Sequence, residues 1–599
     1  MATELPQRVR RLRLGELLVQ AGILGADQAE ALIKEQKRTG LRLGKLVISR
    51  GLVTEDALNQ LLSRQLQVPY VDLRQQQLDA AVVQLIPESM ARKHRAVALR
   101  LNGAALLLGM ADPTNLAGYD EIAAHVRRPL ELALVAEAPL LAALDLLYRR
   151  TDEMNLLAQE VRDDLRGVAA DAEGIKVDEA SPDAPVLKLL NSIFEDALQV
   201  RASDIHIEPA ERALRIRLRV DGTLNEHLLE GNRVSSALVS RIKLMSGLDI
   251  AEKRLPQDGR FSLQLRGRTI DVRVSTLPTR SGESAVLRLL DQSMSVVPLD
   301  QLGMDAPLRA RFTDIIQRSA GLLLVTGPTG SGKTTTLYSA LSHLNKADVK
   351  IITAEDPVEY QLDRICQVQT NAKIGLDFAR VLRTVLRQDP DVIMVGEMRD
   401  LETAEIGLRA AITGHLVLST LHTSTAVGAV SRLLDMGAQG YMIAAALHAV
   451  LAQRLLRRVC PDCAEPHAPD AHELAWLRAQ LPPGQLAAAR FVAGRGCSFC
   501  NASGYRGRMA VHELLEFDTE LGDAVRRADL AGLESAARQR GFRSLTLRAL
   551  DAAAAGQTTV AEVISQLSGV DEISRATSAA PAAAAEELAP EGVARMMGA

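Results

Sequence analysis

The spacing of apolar positions changes several times along the chain, and each change predicts a different kind of element. Residues 1–74 carry apolar positions at helical spacing, and they repeat. Arg13-Leu14-Gly15, Gly22 and Gln36 return 29 positions later as Arg42-Leu43-Gly44, Gly51 and Gln65, five identities in one register. Each copy predicts a short amphipathic helix ended by Gly22 or Gly51, then a second helix with Leu32 or Leu61 facing inward. The two copies are predicted to pack on each other. Residues 75–150 mix short apolar strands, such as Ala104–Met110, with helical segments, which predicts a small α+β domain completing the N-terminal region. Residues 151–185 are polar and acidic without sustained period, predicting a flexible linker. From 186 to 300 one helix precedes alternating strands such as Leu214–Val220 and Thr269–Ser275, a second α+β domain that is rich in arginine. From 301 to 575 strand, glycine turn and helix follow in repetition, which predicts an α/β domain with a parallel sheet covered by helices. Residues 576–599 are Ala-rich with Pro and Glu and read as a disordered tail.

Composition narrows this picture. A chain of 599 residues with 47% hydrophobic content is too long for one core and should form several domains. Aromatics are only 3%, so aliphatic side chains must build the cores. A net charge of −4 gives no general attraction to nucleic acid or anionic lipid, and no nucleic-acid partner is expected. The N-terminus lacks a signal-peptide layout, and every apolar run is broken before membrane-spanning length, so a cytoplasmic location is expected.

Gly327-Pro328-Thr329-Gly330-Ser331-Gly332-Lys333-Thr334 follows the apolar run Leu322–Thr326 and opens a helical pattern continuing through Thr335. This is the strand, loop and helix order of a P-loop. The glycines let backbone N–H groups close around phosphate oxygens, Lys333 supplies a point charge to the β and γ phosphates, and Thr334 can ligate magnesium. Two further apolar strands, Val349–Thr353 and Val392–Val395, lead into Glu355-Asp356-Pro357-Val358-Glu359 and Gly396-Glu397. In an open parallel sheet that edge binds ligands. Glu359 is therefore a candidate to orient or deprotonate an attacking water, and Glu397 to hold magnesium; a solvated strand end is the alternative for each, and more so for Glu355. A fourth strand carries His415 and His422 at its ends, and His422 is either structural or a γ-phosphate sensor.

These strings, with Asp389-Pro390-Asp391 through Gly396-Glu397-Met398-Arg399-Asp400 and Thr413-Gly414-His415 through His422-Thr423, resemble the four boxes of the type II secretion and type IV pilus ATPase family, in family order. The resemblance extends upstream through Ala202–Pro209, Arg217–Gly222 and Leu255–Arg260. It implies a RecA-type core in a homohexameric ring on the cytoplasmic face of the inner membrane. That ring would work on a membrane platform protein, hydrolysing Mg-ATP to drive pilus or pseudopilus extension. It implies Glu359 as catalytic base, Glu397 in an atypical Walker B motif, His422 near the γ phosphate, Arg273 and Arg288 as arginine fingers from the second α+β domain, and Arg383, Arg387 and Arg399 as phosphate or interface contacts. A pilus-retraction motor and a DNA-translocating P-loop ATPase are the competing readings.

Five cysteines occur, four of them in Cys460-Pro461-Asp462-Cys463 and Cys497-Ser498-Phe499-Cys500. In a reducing compartment two such pairs predict a structural tetrahedral zinc site at about 458–508, with reduced or redox-active thiols as the alternative. Cys366 stands alone and reads as packing. The N-terminal repeat resembles the cyclic di-GMP-binding domain of some pilus and secretion ATPases. That resemblance makes Arg11, Arg13, Leu14, Gly15, Gln36, Arg42, Leu43, Gly44 and Asp112 candidates for holding the dinucleotide. The alternative is a helical adaptor that docks a partner protein.

Overall fold

The computed structural model describes residues 14–39, 43–53, 55–76, 78–147, 151–170, 185–211, 213–230, 232–265, 267–291, 296–500 and 503–568. The expected tail at 576–599 lies outside them. The chain forms two compact units: Met1–Asp291 with Cys460–Ala464 and Gly494–Tyr505, and Gln292–Val459 with Glu465–Ala493 and Arg506–Ala599.

In the first unit the repeat becomes four helices, α1 (Leu14–Gln20), α2 (Ala26–Thr39), α3 (Leu43–Ser49) and α4 (Glu55–Leu66). Leu18, Leu32, Leu46, Val47 and Leu58 share one aliphatic core, with Leu61 partly buried against it. The copies interlock reciprocally. A methyl group on Gly15 would lie 3.7 Å from Leu43, and one on Gly44 would lie 3.9 Å from Leu14, so each copy's glycine admits the other copy's leucine. Next come α5 (Ala80–Val83), α6 (Glu88–His94), β1 (Ala96–Asn102), β2 (Ala105–Met110), α7 (Leu116–Val126), β3 (Leu130–Leu134) and α8 (Glu137–Leu147). β1 pairs antiparallel with β2, and β3 returns parallel to β2 after α7.

The expectation of a flexible linker at 151–185 is corrected over its first part, because α9 (Thr151–Ala170) is a 20-residue helix. Met154, Ala158 and Val161 fall at i, i+4 and i+7, and all three are buried in the core of the domain that follows, a stripe strong enough to fix an otherwise polar helix. Residues 171–184 lie outside the described set. That following domain comprises α10 (Pro185–Gln199), β4 (Asp204–Pro209), β5 (Ala213–Val220), β6 (Thr223–Glu230), α11 (Asn232–Met245), β7 (Gln257–Leu265), β8 (Arg268–Thr279) and β9 (Gly282–Asp291). Its strands form one sheet in the order β6-β5-β4-β9-β8-β7, each pair antiparallel.

The second unit is built on α12 (Ala306–Ile316), β10 (Gly321–Thr326), α13 (Lys333–Leu344), β11 (Ile351–Glu355), β12 (Cys366–Gln369), α14 (Phe378–Val385), β13 (Val392–Val395), α15 (Leu401–Ile412), β14 (Leu416–Leu421), α16 (Ala426–Asp435) and β15 (Leu447–Val459). After β15 come the paired short strands β16 (Ala464–His467) and β17 (Phe491–Gly494), then β18 (Tyr505–Glu516). The main sheet runs β12-β11-β13-β14-β10-β15-β18, with parallel pairing from β12 to β15. Alternate side chains of its strands feed two cores. Leu322, Leu324, Ile393, Val395 and Val417 pack on one face, while Leu323, Val325, Met394 and Leu418 pack on the other. This two-sided burial is why these strands read as unbroken apolar runs.

Candidate nucleotide and metal sites

The parallel register aligns the carboxyl ends of the central strands. Thr326 lies opposite Leu421, Val395 opposite Ser419, and Ala354 opposite Val395, so the segments leaving β10, β11, β13 and β14 converge at one edge. The P-loop closes the end of β10. A side chain at Gly327 would come within 2.5 Å of the Gln453 carbonyl and of Ser331 Oγ, and Gly332 caps α13 at φ 87°, so both positions demand glycine. Lys333 begins α13 and its ammonium donates to the carbonyls of Gly327 at 2.8 Å and Pro328 at 3.1 Å. Sequence reasoning missed what braces this loop from behind. Buried Gln453 on β15 donates to the Ser331 carbonyl and accepts from Thr336 Oγ1 at 2.8 Å. The signal was a polar Gln453-Arg454 pair inside an apolar strand.

Burial pushes the Lys333 ammonium down to about 8; Glu397 opposes that shift and Arg454 adds to it. A bound polyphosphate restores the charge, so nucleotide binding should take up a proton wherever the free lysine is partly neutral. Affinity is expected to be flat below about pH 8 and to fall above it by up to about tenfold per pH unit. Calorimetry in buffers of different ionisation enthalpy counts that proton, and an affinity that stays flat well above pH 8 contradicts the assignment.

Glu397, just beyond β13, is 17% exposed; it pairs with Arg399, and His422 Nε2 lies 3.3 Å from its second oxygen. Arg399 also reaches Asp356 at 3.8 Å. The strand ends beneath this cluster are tied together. Ser419 Oγ donates to the Val395 carbonyl at 2.9 Å, Thr420 Oγ1 donates to the Gly396 carbonyl at 2.7 Å, and the Met398 amide donates to the Thr420 carbonyl at 3.1 Å. Lys333, Glu397, Arg399, His422 and Asp356 therefore share one electrostatic neighbourhood at the sheet edge. Thr334 is exposed on the first turn of α13, and the neighbouring Thr335 carbonyl accepts from Ser339 Oγ at 2.7 Å.

Glu355 differs from the expectation of a ligand-facing or solvated strand end. It is 3% exposed and accepts from Tyr338 Oη, Thr353 Oγ1 and Gln367 Nε2. Glu359, four residues on, is partly buried. Arg383 pairs with Glu402, and Arg387 donates to the Arg383 carbonyl at 2.6 Å, so both are engaged around the end of α14. Arg273 and Arg288 belong to the first unit, where they face each other across β8 and β9. The register extends that row to Arg260 opposite Arg273 and Asp204 opposite Arg288, and Arg288 donates to Asp204 at 3.0 Å. Arg260 was not singled out from the sequence. Its row emerges only from strand register.

The four paired cysteines come together with their sulfurs within 4.8 Å of one another. Cys460–Cys497 and Cys463–Cys500 are 3.8 Å apart and Cys497–Cys500 3.7 Å. A tetrahedron with Zn–S bonds of about 2.3 Å has edges of about 3.8 Å, and a disulfide needs about 2.05 Å, so the set fits zinc and no disulfide. The Cys460 thiol and the amides of Cys497 and Gly504 hold the Cys500 thiol down, while the same hydrogen bond, then burial, pushes the Cys460 thiol up. Cys366 is corrected: it is exposed on edge strand β12, not packed. Among the dinucleotide candidates, Arg11, Arg13 and Arg42 lie outside the described residues. Leu43 is buried in the repeat core with Leu14 packed against it, Gly15 and Gly44 form the interlock, and Gln36 is half-buried on α2. Asp112 caps its own turn, accepting from the Thr114 amide at 3.2 Å.

A parallel sheet with a P-loop at one strand end and carboxylates on the neighbouring strands defines a P-loop nucleotide-hydrolysing protein. The model of the Type II/IV secretion system protein family matches residues 179–565, and the chain belongs to that family. It is an ATPase with a RecA-type core. A second model, the MshEN domain, matches residues 66–154. The chain is 43% identical over 556 residues to the type IV pilus assembly ATPase PilB of Myxococcus xanthus, covering 92% of this chain and 98% of that one. It is 49% identical over 390 residues to the type II secretion system protein E of Aeromonas hydrophila, covering 64% of this chain and 76% of the relative. Among solved structures, the pilus retraction motor PilT with bound ADP matches at 27% identity and a TM-score of 0.45, covering 64% of this chain and 99% of PilT. Among the described residues no helix is long and apolar enough to cross a membrane.

Proposed function

We propose that this chain is the Mg-ATP-driven motor that extends a type IV pilus or a type II secretion pseudopilus. In this reading it works as a homohexamer on the cytoplasmic face of the inner membrane, against a membrane platform protein. The observation that carries it is the gathering of Lys333, Glu397, Arg399, His422 and Asp356 at one sheet edge. The P-loop of Gly327–Thr334 grips the phosphates through its amides and Lys333. Magnesium, held by Thr334 and Glu397, would neutralise charge on the transferred phosphoryl group. Glu359 is the base that orients and deprotonates the attacking water, and His422 reads the γ phosphate. Arg273 and Arg288, aligned across β8 and β9, act as fingers delivered by the preceding domain, while Arg383, Arg387 and Arg399 serve as phosphate or interface contacts. Zinc on Cys460, Cys463, Cys497 and Cys500 is structural, since four thiolates leave no open position for water.

In this reading cyclic di-GMP is the regulator, bound through Arg11, Arg13, Gln36, Arg42 and Asp112 around the interlocked Leu14-Gly15 and Leu43-Gly44 pairs; the duplication supports it from the repeat, while the MshEN match, over residues 66–154, takes in Asp112 alone of these residues. Phosphate release by the full zinc-loaded chain, with magnesium or with EDTA, tests the motor chemistry; magnesium-dependent turnover is expected, and its absence overturns the reading. Titration with cyclic di-GMP tests the regulator: saturable binding lost in Arg13→Ala is expected, and no binding would make the repeat a docking adaptor.

A further inference from the structure

Tyr338 sits on α13, the helix that Lys333 begins, and its side chain is fully buried. Its hydroxyl donates to Glu355 at the end of β11 and accepts from the backbone amide of Glu359 at 3.3 Å. Gln367 on β12 closes the cluster. Its amide nitrogen donates to Glu355 Oε1 at 3.1 Å and to the Tyr360 carbonyl at 3.2 Å, while its oxygen accepts from the Leu362 amide at 2.8 Å. The Tyr360 ring meets the Tyr338 ring edge-on, with centroids 4.6 Å apart. The loop between β11 and β12, which carries Glu359, is thus pinned from within to the helix that starts at the P-loop lysine. Burial, then the hydrogen bond to Glu355, pushes the Tyr338 phenol far up, so the hydroxyl keeps its proton, donates it in a hydrogen bond to Glu355, and leaves an oxygen lone pair for the Glu359 amide.

We infer that Tyr338 is a positioning residue for ATP hydrolysis: through Glu355 and the Glu359 amide it fixes the Glu359 carboxylate relative to the phosphates held by the P-loop. The inference rests on the proposal that Glu359 is the base. A Glu359 misplaced by a fraction of an ångström to an ångström loses rate without losing nucleotide, because binding is carried by the P-loop itself. Tyr338→Phe keeps the ring and removes the hydroxyl. It is expected to lower kcat on the order of 10- to 100-fold, with KM and nucleotide affinity unchanged.

Tyr338→Phe also takes one of three donors from buried Glu355, leaving Thr353 Oγ1 and Gln367 Nε2, so a fall in kcat alone could reflect a weakened fold. Tyr338→Phe combined with Glu355→Gln removes the acid that lost its donor. That double variant should recover Tm but not kcat; if kcat recovers with Tm, the hydroxyl is only structural and the inference fails. A double-mutant cycle with Glu359→Gln completes the test. Tyr338→Phe should add no further loss to the residual rate of Glu359→Gln if it acts through that carboxylate, and an independent loss of full size overturns it. The two readings fail separately. Turnover persisting in Glu359→Gln refutes the base and this inference with it, whereas an inactive Glu359→Gln beside a fully active Tyr338→Phe refutes the inference alone.

Discussion

Glu359→Gln is expected to cut phosphate release by about 10²- to 10⁴-fold, the usual contribution of a positioned general base, and to leave ATP binding intact. The amide matches the carboxylate in size but cannot take a proton from water. Its backbone, whose N–H donates to Tyr338 Oη at 3.3 Å, is unchanged, so the loop should hold its shape. Nucleotide affinity depends on other groups, the P-loop amides and the Lys333 ammonium. The variant should therefore trap ATP, seen as tight equilibrium binding of a fluorescent ATP analogue with no phosphate burst. Lys333→Ala should show the reverse order of effects, losing affinity first. A Glu359→Gln protein that turns over at the wild-type rate would move the base to another carboxylate at this edge, with Asp356 and Glu397 as the remaining acids of the cluster.

The second large effect concerns the cysteine cluster. Structural zinc contributes about 10–16 kcal/mol of apparent binding energy to the folding of zinc-finger peptides near pH 7. Here Cys460 follows directly on β15 and Cys500 shortly precedes β18, two neighbouring strands of the main sheet. Zinc would hold residues 460–463 to residues 497–500 across a long insertion. Cys463→Ser, at a site 4% exposed, is expected to lower zinc from one equivalent per chain to none and to open the segment around residues 460–500 to protease. Metal analysis and limited proteolysis check both outcomes. One retained zinc in Cys463→Ser, or full protease resistance after chelation, contradicts a structural four-thiolate site.

Much of this site is written locally. The P-loop could be read from spacing alone, because close backbone approach at Gly327 and positive φ at Gly332 exclude other residues. The cysteine pairs were legible for a similar reason, since two knuckles of fixed spacing need only come together. What escaped reading depends on partners far along the chain. Glu355 read as either a ligand-facing or a solvated strand end, and neither holds because Tyr338, 17 residues earlier, and Gln367, 12 residues later, close over it. Gln453 braces Ser331 from 122 positions away, and only sheet order brings β15 beside β10. The arginine row of Arg260, Arg273 and Arg288 likewise needs the antiparallel register of β7, β8 and β9. The helix at 151–170 was misread for a different reason. Its acidic composition outweighed a sparse stripe of Met154, Ala158 and Val161, whose burial depends on a core built mainly by later residues.

The central claim, that ATP hydrolysis at this site drives assembly, is tested most directly in a bacterium lacking its own copy of this chain. Restoring the wild-type sequence should return surface pili or exported type II substrate. Restoring Glu359→Gln at equal abundance, folded and ATP-bound, should return neither. Wild-type levels of filament or export with the hydrolysis-deficient protein would contradict the account and separate nucleotide turnover at this site from the work of assembly.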